Sequence, residues 1–229
     1  MDVAIIGGTG AEGFGLTLRL AKAGHHVTIG SRDAGRAAAK AEEARGILGA
    51  DANVSGAENP AAAAAAPVVI VTVPFEGAAA IYEAIAPAIT PETIVCDCTS
   101  PLMASVGGRA SHALHPWHGS AAEFVRTLLP HGTRLVAGFH TVSAGVLRAL
   151  DKPVDSDTFV MGEDAEAKAT IGSLADDIEG MRWVDLGGLQ MARIAEQMTP
   201  LLISVNVRYK IHDAGFRMTG RDPWGAPQG

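Results

Sequence analysis

Apolar positions in this chain fall into short β-branched runs separated by longer stretches with helical spacing. The first run, Asp2 to Ile6, predicts a strand, and residues 11–23 place Leu16, Leu18, Leu20 and Ala21 on the packed side of a helix. His26 to Gly30 predicts a second strand and residues 34–48 a long Ala-rich helix. A weak third strand is expected at 53–55, then a short Ala-rich helix over 61–66 with Pro60 at its first turn. Pro67 to Val73 is continuously apolar, as a strand covered on both faces should be. Pro74-Phe75 ends it. Helices follow at 77–85 and 120–129, and strands at 93–97 and 134–137. This alternation predicts an α/β fold, a Rossmann-type doubly wound parallel sheet that binds ligands at the carboxyl ends of its strands. Those ends are Gly7, Gly30, Val73, Asp97 and the stretch Gly138-Phe139-His140-Thr141.

The rhythm changes beyond Ser143. A helix, a strand at 158–161, a helix at 165–178, a strand at 182–184 and a long helix from Leu189 past Val207 predict a smaller C-terminal α/β domain.

Between the first strand and helix lies Gly8-x-Gly10-x-x-Gly13, in the context a dinucleotide loop requires. Its glycines allow a tight turn, close approach of a pyrophosphate and close packing of the helix, whose free N–H groups then face the phosphates. An NAD site ends the second strand with an acid on the ribose hydroxyls. Here the tip is Ser31-Arg32, with Arg36 one turn later, which suits the 2′-phosphate of NADP. Asp33 reads as the residue opening the next helix. Residues 1–142 are therefore expected to be an NADP-binding domain, and 143–229 a small domain closing a second cleft.

Composition narrows the class. The chain is 48% hydrophobic and 19% charged, as a globular protein is, and no apolar run approaches the ~18 residues of a membrane span. Met1-Asp2 leads directly into a core strand, so no signal peptide is expected. A net charge of −7 argues against nonspecific nucleic-acid binding, which needs a basic face. Near the end, Arg208, Lys210, Arg217 and Arg221 outnumber Asp213 and Asp222, either as a solvated helix end or as a patch for an acidic ligand tail. Cys96 and Cys98, two apart in a strand, make poor disulfide partners, so a reduced, cytoplasmic protein is expected. His112, His115 and His118 recur in threes, but Pro116-Trp117 breaks any helix that would align them, so no metal site is expected. Their segment reads as a loop over the cleft, with Trp117 either shielding it or simply packed.

Together these residues resemble the NADP-dependent reductases of the deazaflavin coenzyme F420. The resemblance runs over most of the chain. It rests on Gly7-Gly8-Thr9-Gly10-x-x-Gly13, Gly30-Ser31-Arg32, Val73-Pro74-Phe75-Glu76, Gly119-Ser120-Ala121-Ala122-Glu123, Phe139-His140-Thr141-Val142 and Glu196-Gln197-Met198-Thr199-Pro200-Leu201-Leu202. It implies hydride transfer between NADPH and C5 of the deazaflavin, with both rings stacked in an interdomain cleft. It implies that His140 and Thr199 lie near the deazaflavin's polar edge as the catalytic pair, with Val142 flanking the rings. Thr9, Ser31, Arg32 and Arg36 match the family's phosphate and ribose contacts. With Gly8, Gly10, Ala11, Glu12 and Gly13 of the loop, and Val73, Pro74 and Phe75 beside the nicotinamide, they form the expected cofactor site. Two departures stand out: Gln197 replaces a small hydroxyl residue in the second-cofactor pocket, and Ser143 a common proline.

From the residues alone, His140 is either a stabiliser or proton relay for the second ring or a hydrogen-bonded core histidine. Thr199 either faces a ligand or bonds back to its own helix. A short-chain dehydrogenase is excluded, because Tyr82 is followed four residues on by Ala86, and Tyr209 by Asp213, where that chemistry needs lysine. A β-hydroxyacid or imine dehydrogenase would carry a catalytic lysine or aspartate on the long helix, which offers Arg193 and Glu196. An NADPH-dependent flavin or ferric reductase using the same cleft, or a nonenzymatic NADP sensor, are the alternatives. The long apolar helix also suggests a homodimer.

Overall fold

The computed structural model describes residues 1–220 and 224–225. The expected alternation is present as β1 (Asp2–Ile6), α1 (Ala11–Lys22), β2 (His26–Ser31), α2 (Ala34–Leu48), β3 (Val54–Glu58), α3 (Asn59–Ala64), β4 (Val68–Val71), α4 (Phe75–Ile85) and β5 (Ile94–Asp97). It continues with α5 (Ala121–Arg126), β6 (Arg134–Ala137), α6 (Ala144–Arg148), β7 (Asp157–Gly162), α7 (Ala165–Asp176), β8 (Arg182–Asp185) and α8 (Ala192–Tyr209).

The strands form one eight-stranded sheet in the order β3-β2-β1-β4-β5-β6-β7-β8. All neighbours are parallel except β6 and β7. Strand order reverses between β1 and β4, which leaves a crevice at their carboxyl ends. The register makes that edge level: Gly30, Ile6, Val71, Asp97 and Ala137 are successive partners across five strands. Residues following them therefore emerge side by side.

Side-chain alternation divides the core between the two faces. Ala4, Ile6, Val69 and Val71 pack with α3, α4, α5 and α8, while Val3, Ile5, Val68 and Ile70 pack with α1 and α7. Phe14 and Leu18 extend the second side onto α2 through Ala37, Ala41 and Ala44. Coverage on both faces is why β4 reads as an unbroken apolar run.

The segment after Ser143 continues the same sheet, since β7 pairs antiparallel with β6 through Val136–Gly162 and Ala137–Met161. Arg19 of α1 fastens this segment to the first half. Its buried guanidinium donates to the carbonyls of Val146, Leu147, Ala149 and Lys152 at 2.7–3.0 Å, supplying donors that the end of α6 lacks. Asp157 anchors the last residues: its fully buried carboxylate accepts from Arg182, Arg217 and the Met218 N–H. Burial pushes its pKa up, but these bonds outweigh burial and hold it below the ordinary carboxylate value. Arg217 is thus committed to acids, and the expected basic patch is reduced accordingly. Arg221, Asp222 and the rest of the terminal tail, apart from Trp224 and Gly225, lie outside the described residues. Among the described residues, no helix is long and apolar enough to cross a membrane.

Candidate active site

Two clefts open at the level sheet edge. The first, of about 360 Å³, is lined by Gly7, Thr9 and Gly10 after β1, Ser31 and Arg32 at the tip of β2, and Arg36 on α2. Asn59, the Thr72-Val73-Pro74 segment and the first turns of α4, with Glu76, Gly77, Ala80 and Ile81, complete it. Gly7 carries the left-handed backbone of the loop (φ +75°), and a Cβ there would meet Val73 Cγ1 at 2.7 Å. Gly13 lets α1 close onto the sheet, because a Cβ would sit 2.8 Å from Gly8 Cα and overlap Thr72 Oγ1. Gly10 is the N-cap of the twelve-residue helix α1, whose free N–H groups then lie at the cleft. Asp33 is the N-cap of α2, its Oδ1 accepting from the Arg36 N–H at 2.7 Å, as its position after the strand tip suggested. Among the described residues, no carboxylate pairs with Arg32 or Arg36, so both exposed guanidinium groups are available to an anion. Glycine cradle, helix terminus and free cations fit a phosphorylated dinucleotide.

The second cleft, of about 180 Å³, is lined by His140, Thr141, Val142 and Ser143 after β6, by Thr199, Leu202, Ile203 and Asn206 of α8, and by Ala214. It shares Val142, Ser143 and Ala214 with a groove of about 560 Å³ that reaches Lys152. Phe139 enters this turn with φ +62°, a costly conformation for a bulky residue, and is held there by its N–H bond to Thr158 Oγ1 at 2.9 Å. The turn sets His140 against the cleft. Its imidazole is buried, neither ring nitrogen has a hydrogen-bond partner, and burial pushes its pKa down to about 4. The Thr199 hydroxyl donates to the His140 carbonyl at 2.8 Å and lies 2.8 Å from Ser100 Oγ, so it ties α8 to the turn instead of bonding back to its own helix. A slot that mixes Val142, Leu202 and Ile203 with Thr141, Ser143, Thr199 and Asn206, and is backed by a buried imidazole without partners, fits a flat heterocycle with a polar edge.

The remaining expected residues lie apart from these clefts. Ala11 is exposed at the start of α1. Glu12 turns inward; its Oε1 is buried without a partner, and burial, then the charge of Asp97, pushes its pKa up to about 8. Phe75 packs edge-on against Phe124, centroids 6.0 Å apart, beside Pro74, which is the N-cap of α4. Gln197 lines a separate groove with Ser111, Ala113 and Pro200, its Nε2 3.5 Å from His115 Nδ1. Two positions along a helix differ by about 200°, so Gln197 and Thr199 leave α8 on nearly opposite sides. Trp117 is 99% exposed and covers nothing.

Three residues of the site were not among the expected site residues, although Asp97 reads as a strand end and Glu196 as part of the long helix. Asn59, with a buried unpartnered Oδ1, reaches the first cleft because the tip of β3 adjoins that of β2. Asp97 and Glu196 come together with His140, their polar atoms within 4.8 Å of one another. Among the described residues this is the group of histidine, cysteine and acidic side chains that converges, whereas His112, His115 and His118 do not.

The family described as NADP oxidoreductase, coenzyme F420-dependent, matches residues 2–101. The F420-dependent NADP reductase of Methanothermobacter thermautotrophicus is 42% identical over 221 residues, covering 96% of this chain and 95% of that protein. The crystal structure of an Arthrobacter sp. FB24 protein assigned as an F420-dependent NADP reductase aligns with a TM-score of 0.80 at 27% identity, over 96% of this chain and all of that one. A Streptomyces aurantiacus imine reductase shares the fold at a TM-score of 0.60 and 20% identity, over 90% of this chain and 61% of its own.

Proposed function

The chain belongs to the family of coenzyme F420-dependent NADP oxidoreductases, and from that premise we propose that it passes a hydride directly between NADP(H) in the first cleft and coenzyme F420 in the second. When bound, the nicotinamide supplies or takes the hydride and C5 of the deazaflavin exchanges it. The protein's part is geometric: rings must be held with reacting carbons about 3–3.5 Å apart and water kept away.

Arg32 and Arg36 hold the 2′-phosphate, Ser31 and Thr9 bond the ribose and phosphates, and Val73-Pro74 forms a rigid wall for the nicotinamide. His140 faces the polar edge of the second ring, Val142 packs on its face, and Thr199 fixes the turn that carries both. The adjoining groove takes the ring's substituent chain. Residues 1–142 act as the NADP-binding part and 143–229 as the part closing the second cleft. The observation that supports this reading best is one level sheet edge bearing an unpaired arginine pair at one cleft and an unpartnered imidazole at the other.

Anaerobic mixing of protein, NADPH and oxidised F420 tests it. Loss of the deazaflavin's visible absorbance is expected; persistence of that absorbance while added flavin or ferric chelate is reduced would falsify the assignment. A homodimer through α8 is part of the proposal, since Ile194 and Leu201 lie two turns apart on one exposed face. Light scattering at micromolar concentration should give twice the chain mass, and a monomer contradicts it.

A further inference from the structure

Among the described residues, six buried side-chain polar atoms lack a partner, and four of them belong to Glu12, Asp97 and His140. Such atoms are rare in folded proteins, so their concentration at one place calls for a chemical reason. Asp97 at the end of β5, His140 after β6 and Glu196 on α8 meet within 4.8 Å. Among the described residues, no basic side chain pairs with them. The titratable groups around them are Glu12 from α1, Tyr82 from α4, Cys96 and Cys98 on and after β5, and Glu123 from α5, itself paired with Arg193.

Two neighbouring carboxyls buried without a cation do not both ionise readily. Burial pushes Glu196 up to about 8 and Asp97 up to about 6, so at neutral pH Glu196 keeps its proton beside a neutral imidazole. Each acid is also built to stay in place. Asp97 Oδ1 accepts the hydroxyls of Tyr82 at 2.7 Å and Thr99 at 2.6 Å, leaving Oδ2 unpartnered. The Glu196 oxygens accept the N–H groups of Ala121 and Ala122 at 2.8 and 3.0 Å, a cradle that stabilises the carboxylate once its proton has left.

We propose that Asp97 and Glu196 are positioning residues that share one exchangeable proton with His140, and that this proton is the one consumed when the hydride reaches the second ring. The proposal rests on the function assigned above. In balance, a C–H bond of the nicotinamide breaks and its electron pair forms the new C–H bond at C5. One imidazole nitrogen gives its proton to a pyrimidine-edge nitrogen as the other takes the proton of Glu196 through one bridging water, since no hydrogen bond joins the two side chains directly. The imidazole stays neutral with its tautomer exchanged, and Glu196 is left as a carboxylate that water reprotonates. The reverse reaction runs the same path backwards.

Nitrogen NMR of the ligand-free protein labelled at histidine reads the shared proton without turnover, with the His140 signals identified by their loss in His140→Gln. The wild-type ring nitrogens should shift in a step near pH 8, and Glu196→Gln should abolish it. Because Gln at 196 sets an NH₂ against one of the two backbone donors, Asp97→Asn serves as a second variant and should move the step by at least one pH unit. In turnover, Glu196→Gln should lower kcat at least tenfold and flatten the alkaline limb of its pH profile while leaving the KM for NADPH unchanged. His140 curves identical in wild type and both variants overturn the shared proton; an unaltered pH profile overturns its use in the reaction. A wild-type chain that shows the NMR step but reduces no deazaflavin overturns the functional assignment instead.

Discussion

Thr199 on α8 donates its hydroxyl hydrogen to the backbone carbonyl of His140 at 2.8 Å, 59 residues away in sequence. That bond couples the long C-terminal helix to the strained turn after β6, so the shape of the second cleft depends on it. Thr199→Val removes the donor and leaves a partly buried carbonyl unsatisfied, at a cost of about 1–2 kcal/mol in urea unfolding. The same change should raise the KM for the deazaflavin several-fold without altering the Kd for NADPH, and Thr199→Ser should restore both. Equal weakening of NADPH would show that the two clefts are not separate.

Arg32 decides the choice of dinucleotide. Its guanidinium lines the first cleft and, among the described residues, has no acidic partner to release, so its hydrogen-bonding capacity is open to a 2′-phosphate. Arg32→Ala should weaken NADPH binding by about 10- to 100-fold. NADH, lacking that phosphate, should be nearly unaffected in fluorescence titrations; equal losses for both contradict the charge argument.

Glu12 makes stability depend on pH. Burial, and then the charge of Asp97, raises its folded pKa to about 8 from 4.5, so the folded state binds the proton more tightly than the unfolded chain. The resulting stabilisation is complete below pH 4.5, declines as pH rises, and is lost above about 8. Glu12→Gln, which mimics the protonated form, should therefore gain in Tm over wild type progressively between pH 5 and 9. A difference that stays flat across that range would place the carboxyl in water.

Arg19 holds the two halves of the chain together through four carbonyls. Arg19→Met keeps the packing length but strands those acceptors, so the denaturant midpoint should fall by the equivalent of about 3 kcal/mol with an unchanged m-value. A loss under about 1 kcal/mol would mean that water replaces the arginine.

What could be read in the sequence was local. The apolar run of β4, the glycine loop and Ser31-Arg32 each follow from spacing within one strand–turn–helix unit, and all three lie where that spacing put them. β3 proved longer than its weak signal, reaching Glu58, because Gly56-Ala57 lies directly under α2 and a Cβ at Gly56 would overlap the Ala37 backbone. Small residues pack there without an apolar pattern to announce them. The antiparallel joining of β7 to β6 was likewise invisible, since alternating elements do not specify strand direction. Asp97 and Glu196 are far apart in the chain, and only the sheet order and the path of α8 bring them to His140. Gln197 fell within a motif of six neighbours, yet helical rotation sends it to another surface.

The central claim, direct hydride passage between two ligands held by one chain, is tested by a single turnover with NADPH deuterated at the transferred position of the nicotinamide. The deuterium should arrive at C5 of the reduced deazaflavin with none released to solvent. Label recovered in water, or on an added flavin while the deazaflavin stays oxidised, would contradict it.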